Sequence, residues 1–272
     1  MKQFKASDLE ELPSRYRANL INSCTGYKSL NLIGTQDSDG NKNLAVFNSI
    51  IHLGSNPALI GFTFRPLTVQ RDTYKNIQET GVFTVNHVQE GFVGKAHQTA
   101  AKYPTNTSEF ETVGLEAEYL EGTLAPFVKK STIRYSCTYV NEYPIIENGC
   151  IMVVGAINAL YLDEAFIAPD GWIDLAKANT IAGIGIDGYV KGVAPIRYEY
   201  AKPETKPQKK IRCIKRPYFL LKFALCVRGH LIGERNGKKT GMKCVTALKN
   251  AKEIKNKVYE IYCMVYKQPK GC

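Results

Sequence analysis

Metal-ligand and hydrolase signatures are what this sequence most plainly lacks. Histidine occurs only at positions 52, 87, 97 and 230, and none of these residues stands in an HExxH or other metal-ligand spacing. His52 and His87 fall in strand-like stretches and read as core or rim residues. There is no CxxC pair and no GxSxG elbow, which excludes the commonest dithiol-redox and serine-hydrolase arrangements. No stretch approaches the roughly 20 consecutive apolar residues of a membrane-spanning helix. The opening Met1–Ala6 carries no apolar run of the signal-peptide kind, so a cytoplasmic protein with no membrane span is expected.

What is present belongs to a folded protein: 44% hydrophobic and 10% aromatic residues in a chain of 272. The net charge of +11 suggests a nucleic-acid or membrane partner, but it is unevenly distributed. Residues 1–200 hold 17 basic and 21 acidic side chains, a net of −4, whereas residues 201–272 hold 19 and 4, a net of +15. Three cysteines are scattered through the first part and read as reduced thiols, while five (Cys213, Cys226, Cys244, Cys263 and Cys272) crowd the second. The chain therefore divides into a mildly acidic body over 1–200, a Lys/Pro-rich linker over 201–210 expected to be exposed and extended, and a basic extension of uncertain order over 211–272. Three readings of that extension stand open. It binds nucleic acid or another anionic surface; its cysteines hold a metal, although their spacing is unlike zinc knuckles; or it is no part of the functional protein, which the abruptness of the change favours.

Within the body, Ser7–Glu10 has the spacing of a capping box and predicts a short helix from about residue 8, broken at Pro13-Ser14 and resumed to Gly26. Lys28–Thr35 alternates polar and apolar residues and reads as one strand. Asp37-Ser-Asp-Gly40 is a hairpin turn, with return strand 43–53 and a further strand 57–64. A helix over 71–80, a strand over 82–86, helical character over 92–102, an aperiodic connection over 104–127 and β-rich stretches 131–143 and 150–162 follow. Strands dominate, helices are short and no βαβ unit repeats, which predicts a mostly β, antiparallel barrel with helical excursions.

Two places carry candidate binding chemistry. The helix opening Arg71-Asp72-Thr73 combines a guanidinium, a hydroxyl and unpartnered helical N–H groups, a combination suited to a phosphate; an ordinary capped surface helix is the plain alternative. The strand Asn43–Ser49 turns polar at Asn48 and Ser49, where a buried strand normally stays apolar; this suits either a flat polar-edged ligand or a simple strand end. Gly183–Gly188 matches GxGxxG, but Tyr189, Gly192 and Pro195 beyond it build no helix, so it reads as a glycine-rich loop.

The order of these signals is more specific than any one of them. NLIGTQDSDGNKNLAVFNSIIHLGSNPALIGFTFRP followed by RDTYKNIQETGVFTVNHV resembles the flavin reductase-like family, the FMN-binding split β-barrels. The opening RYRANLINSCTGYKSLNLIGT is most similar to the bacterial flavoprotein oxidoreductases among them, and the likeness continues more faintly to about residue 200. The resemblance implies a split barrel and an NAD(P)H:flavin oxidoreductase with FMN, or FAD, as cofactor and NADH or NADPH as co-substrate. A flavin-binding electron carrier or sensor is the alternative. It places Asn43, Phe47, Asn48 and Ser49 along the ring and ribityl chain, Arg71, Thr73 and Asn76 near the phosphate, and Thr99 at the cofactor edge. It further implies a homodimer, with free flavin or a partner oxygenase as electron acceptor, and assigns no catalytic side chain and no metal. The pattern around Gly183–Gly188 departs from the family's, and the basic extension has no counterpart in it.

Overall fold

The computed structural model describes residues 1–104, 107–120 and 122–210, which form a body, Met1–Arg197, and the start of a second unit from Tyr198. Two helices lead the body, α1 (Ala6–Glu11) and α2 (Ser14–Cys24), parted at Pro13. The first begins earlier than its sequence suggests. Asp8, not Glu10, reaches back to accept the Lys5 N–H at 2.8 Å, so the capping pair sits two residues upstream of the predicted box. Then come β1 (Lys28–Ser29), β2 (Asn31–Gln36), β3 (Lys42–Phe47), β4 (Ile51–Ser55), β5 (Ala58–Phe64), α3 (Asp72–Thr80) and β6 (Val82–His87). A 3-10 turn (Glu90–Phe92) leads into α4 (Val93–Gln98), followed by α5 (Glu109–Thr112), β7 (Ala117–Glu118), β8 (Phe127–Val128), β9 (Ile133–Ile145), β10 (Cys150–Leu162), β11 (Ile181–Ile184) and β12 (Gly188–Lys191).

Seven of these strands form one antiparallel sheet in the order β3-β2-β6-β9-β10-β5-β4. Its two edge strands, β3 and β4, are consecutive in the chain and joined only by residues 48–50. In a flat sheet, edges six strand-spacings apart would lie about 29 Å from one another. Three linking residues reach at most roughly 14 Å. The sheet must therefore curl until its edges meet, and the polar break Asn48-Ser49 is the seam of the resulting barrel. The predicted single return strand 43–53 is thus two strands on opposite edges. Ser49, on the link, continues the β4–β5 pairing, donating its hydroxyl to the Thr63 carbonyl (3.3 Å) and accepting the Thr63 N–H (3.1 Å).

The barrel interior is aromatic. Phe47 meets Phe62 and Phe64 edge-on, with centroids 5.4 and 5.3 Å away, and Phe83 closes on Phe62. A second apolar cluster lies outside it, where Phe110, Val113 and Leu115 from the aperiodic connection pack with Leu32, Leu44 and Val88. Leu32 belongs to this outer cluster and Ile33 to the inner one, so β2 is covered on both faces and Asn31–Thr35 is buried throughout. The single strand expected over Lys28–Thr35 is thus two strands in separate sheets, β1 and β2, and the polar residues Asn31 and Thr35 of β2 are buried with its apolar ones. The connection also covers the β3 edge, because the Glu109 carboxylate accepts the Leu44 N–H at 2.9 Å, and burial raises the pKa of that carboxylate.

Gly183–Gly188 is the turn of the β11–β12 hairpin, with Gly185 at φ +64° and Ile184 paired to Gly188, as the loop reading expects. Strand β11 pairs in turn with β1 in a separate three-stranded sheet. In the second unit, the described part of the linker is exposed but not extended. Lys202-Pro-Glu-Thr205 closes a turn (Thr205 N–H to Lys202 carbonyl, 3.1 Å), and Glu199 N–H meets the Gln208 carbonyl at 2.8 Å. Proline at the second position favours such a turn over a straight run. Residues 211–272, which carry the readings of the basic extension, lie outside the described residues.

At the end of β6, His87 is half-buried, with Nδ1 closed to solvent and without a hydrogen-bond partner among the described residues. Burial lowers its pKa from 6.5 to about 4. A histidine held neutral in the fold but free to ionise when unfolded makes the unfolded state bind the extra proton. Its contribution is complete above pH 6.5 and is lost as the pH falls toward 4. Allowing for the residue's partial exposure, it removes roughly 2 kcal/mol over that window. Denaturant unfolding at pH 7.5 and 4.5 is expected to show this excess loss in the wild type and not in His87→Phe; equal pH slopes would exclude the effect.

Candidate functional site

The candidate residues fall into two groups. The first gathers at the start of α3. Arg71 is the N-cap residue and its side chain is exposed; among the described residues no side chain caps the first helical N–H groups, and Gly81 at φ +69° closes the other end. Asp72, in the first turn, accepts Gln70 Nε2 at 2.9 Å. Below this turn lies a buried polar network. Asn43 on β3 donates one amide hydrogen to Thr35 Oγ1 (3.1 Å) and the other to Thr73 Oγ1 (2.9 Å), and Asn76 Nδ2 donates to the same Thr35 oxygen at 3.2 Å. All four residues are at least nine-tenths buried. Thr73 accepts in this network, which leaves its own hydroxyl hydrogen free of that bond. A cleft of about 240 Å³ opens beside the network, lined by Asn43 and Asn76 together with Lys42, Gln70, Asp72 and Lys75.

The second group lies along the seam. Phe47 turns its ring into the aromatic interior, Ser49 is engaged with Thr63, and Asn48 donates Nδ2 to the Gly185 carbonyl at 3.3 Å, tying the β11–β12 hairpin to the barrel. Thr99 caps α4, its buried hydroxyl donating to the Ala96 carbonyl at 2.8 Å. The structure thus brings Asn43, Thr73 and Asn76 together beside Arg71. Asn48 and Ser49 stand at the other end of β3, and among the described residues Thr99 shares no hydrogen bond with either group.

Sequence reasoning missed Thr35, the shared acceptor of the network. A threonine at the end of a strand bears no mark of its role, although its pairing with Asn43 follows once the Asp37–Gly40 hairpin fixes the register. Asn86 was also missed. Fully buried on β6, it donates to the Leu32 carbonyl (3.2 Å) and accepts the Val128 N–H (2.8 Å), holding β8 to the barrel.

A seven-stranded antiparallel sheet closed along a seam, with short helices before it and in its connections, defines a split barrel. A model of the flavin reductase like domain matches residues 28–174, more than half of the chain. Among solved structures, a split-barrel protein assigned to the flavin reductases, from Shewanella frigidimarina NCIMB 400, is 44% identical. It superposes with a TM-score of 0.71, covering 74% of this chain and 100% of that one. Nitrilotriacetate monooxygenase component B from Bacillus cereus shares the fold at a TM-score of 0.64 and 23% identity, over 72% of this chain and 97% of its own. An uncharacterized protein of Halalkalibacterium halodurans is 31% identical over 166 residues, 58% of this chain and 78% of that one. The chain belongs to the flavin reductase-like family. Among the described residues no helix is long and apolar enough to cross a membrane.

Proposed function

We propose that the protein binds FMN, with FAD as the other flavin it would take, and acts as a cytoplasmic NAD(P)H:flavin oxidoreductase. The observation that carries this reading is the start of α3, a nine-residue helix whose first N–H groups are capped by no side chain among the described residues, beside an exposed guanidinium. These groups fit a phosphate. The backbone N–H groups and the positive end of the helix attract the anion, Arg71 adds a charge-assisted bond, and Thr73 offers its remaining hydroxyl hydrogen. Asp72 opposes the anion, but Gln70 already donates to its carboxylate.

Asn43 and Asn76 act from below. Asn43 has both amide hydrogens engaged, with Thr35 and Thr73, so it positions Thr73 rather than reaching a ligand. Asn76 gives one hydrogen to Thr35, holding the acceptor they share, and keeps its other for the cleft it lines. Toward the seam, Phe47 and Ser49 fix the backbone at which the ring would lie, and Asn48 keeps one amide hydrogen beyond its bond to Gly185. A flavin bound there would supply the ring that accepts hydride from NADH or NADPH. The protein's own part is to orient the two rings and exclude water, which needs no catalytic acid or base. With Gly183–Gly188 folded as a hairpin, the nicotinamide nucleotide is held without a Rossmann turn.

The proposal extends to a homodimer. Ile51, Leu53 and Tyr143 lie on the outer face of the barrel, 50%, 41% and 54% exposed, and a second copy is the natural cover for them. Electrons would leave to free flavin or to a partner oxygenase.

The first test is the visible spectrum of the purified protein before and after anaerobic addition of NADH or NADPH. Flavin bands that bleach support an oxidoreductase, bands that persist favour a carrier or sensor, and no bands even after soaking with FMN and FAD would end the proposal. Arg71→Ala is expected to weaken FMN binding by about 1–3 kcal/mol, the range for a hydrogen bond to a charged group. An unchanged FMN titration would remove Arg71 from the site.

A further inference from the structure

The glycine-rich run Gly183–Gly188 forms the tip of the β11–β12 hairpin, and that hairpin is tethered chiefly at its base. There the Ile181 N–H meets the Val88 carbonyl at 2.9 Å, and Lys191, opposite Ile181, pairs with Glu90 at 2.6 Å. Strand β11 pairs with β1 over only two residues, Ala182 and Gly183, and β12 is the outer edge of that sheet. Among the described residues, three side-chain bonds hold the stretch Ile184–Tyr189 to the rest of the body. Arg15 and Asp187 face each other at 3.7 Å, both exposed, and such a pair contributes little. Asn48 Nδ2 donates to the Gly185 carbonyl at 3.3 Å, a long bond. The third is short. The Tyr189 hydroxyl lies 2.6 Å from Nδ1 of His97 on α4, with the two rings edge-on.

The hairpin turns its glycines toward the barrel. Gly183 and Gly185 are buried, and a Cβ built at Gly183 would lie 3.6 Å from the Asn48 Cβ. Residues opposite one another in an antiparallel ladder share a face. Tyr189 stands opposite Gly183, so it is the one large side chain that the paired residues carry on this face beyond the base. Lifting the tip therefore breaks few bonds and uncovers little apolar surface besides one half-buried ring. Those are the marks of a segment that opens locally while its surroundings stay folded.

We propose that the β11–β12 hairpin is a gate over the ring end of the flavin site, that His97–Tyr189 is its latch, and that its opening sets the rate at which flavin enters and leaves. What the gate admits rests on the flavin reading, because the shut hairpin sits on Asn48, where that reading puts the ring. The opening itself does not depend on it.

The test uses the full-length protein and has two parts. Amide hydrogen exchange without added flavin reads the opening. The ladder amides of the hairpin are expected to exchange faster than those of β9 and β10. Tyr189→Phe, which keeps the ring and removes the latch, should speed them several-fold and leave β9 and β10 unchanged. Hairpin exchange that the substitution does not alter would overturn the gate, whether or not flavin binds.

Stopped-flow flavin fluorescence then reads FMN uptake and release. Both rates should rise several-fold in Tyr189→Phe; wild-type rates would show that flavin does not pass the hairpin. The converse is a lock made by Asn48→Cys with Gly183→Cys, positions whose Cβ separation of 3.6 Å suits a disulfide. Once oxidised, this double variant should take up and release FMN at least tenfold more slowly than when reduced, a comparison in which only the bond differs. Equal rates in the two forms would overturn the proposal, and if the reduced form takes up no FMN, Tyr189→Phe decides. A wild type that takes up no FMN overturns the flavin reading and with it the cargo of the gate, while hydrogen exchange still decides whether the hairpin opens.

Discussion

Gly34→Ala lowers the unfolding free energy by about 3 kcal/mol, at the upper end of what overpacking a core costs. Gly34 is on β2, between Leu44 of β3 and Thr84 of β6. A Cβ built there would lie 2.2 Å from the Pro126 carbonyl oxygen and 2.7 Å from Thr84 Oγ1. The first of these is backbone. It cannot swing aside, because the same carbonyl accepts the Thr84 hydroxyl at 2.5 Å while Asn86 donates to that hydroxyl at 3.0 Å. The segment around Pro126 crosses the sheet where β2 has no side chain, and one methyl group there lifts it off. For a body of this size the melting temperature should fall by roughly 6–12 °C. Gly94→Ala is the matched comparison. Gly94 is exposed on α4 with nothing within 4 Å of the added carbon, so the same change should stabilise by about 0.5–1 kcal/mol. If the two variants melt together, close approach at Gly34 is not what holds the connection.

These two glycines show what a sequence reveals and what it hides. The hairpin at Asp37–Gly40 is legible because its chemistry is local. Asp37 Oδ1 accepts the N–H groups of Asp39 and Asn41, and Gly40 takes φ +87°. The C-terminus of α3 at Gly81 and the paired strands β9 and β10 around Gly149 are legible for the same reason. The role of Gly34 is set by Pro126, far along the chain, and no local pattern reports a contact of that range. The seam is an intermediate case. Asn48 and Ser49 are visible as a polar break, but a break that carries the chain from one edge of a closed sheet to the other looks, in sequence, like a flaw in one long strand. At the candidate site the exposed cation Arg71 and the helix start follow from sequence, whereas the buried half of the network does not. Asn43, Thr73 and Asn76 can each be picked out singly. The convergence of Asn43 and Asn76 on the Thr35 oxygen, with Thr73 held by Asn43, depends on α3 packing against β2, which only the folded barrel supplies.

That oxygen carries the second large effect. Thr35→Val keeps the shape of the side chain and removes the acceptor, leaving one amide hydrogen of Asn43 and one of Asn76 buried without a partner. Valine is no true substitute for threonine where the hydroxyl is bonded. At about 1–3 kcal/mol for each buried donor left unmet, partly relieved by rearrangement, the expected loss of stability is about 3 kcal/mol. Thr35→Ser retains the oxygen and should lose much less. The consequence reaches the proposed phosphate site, because Asn43 also holds Thr73, and an amide searching for a new acceptor no longer fixes that hydroxyl under the first turn of α3. FMN affinity should therefore fall several-fold in Thr35→Val even at temperatures where the barrel is fully folded, and it should recover in Thr35→Ser. Denaturant unfolding and FMN titration on the same preparations separate the two consequences. Lost stability with normal FMN affinity would make the network purely structural, whereas a change below 0.5 kcal/mol in Thr35→Val would show that Asn43 and Asn76 find other partners and that the network does not govern the position of α3.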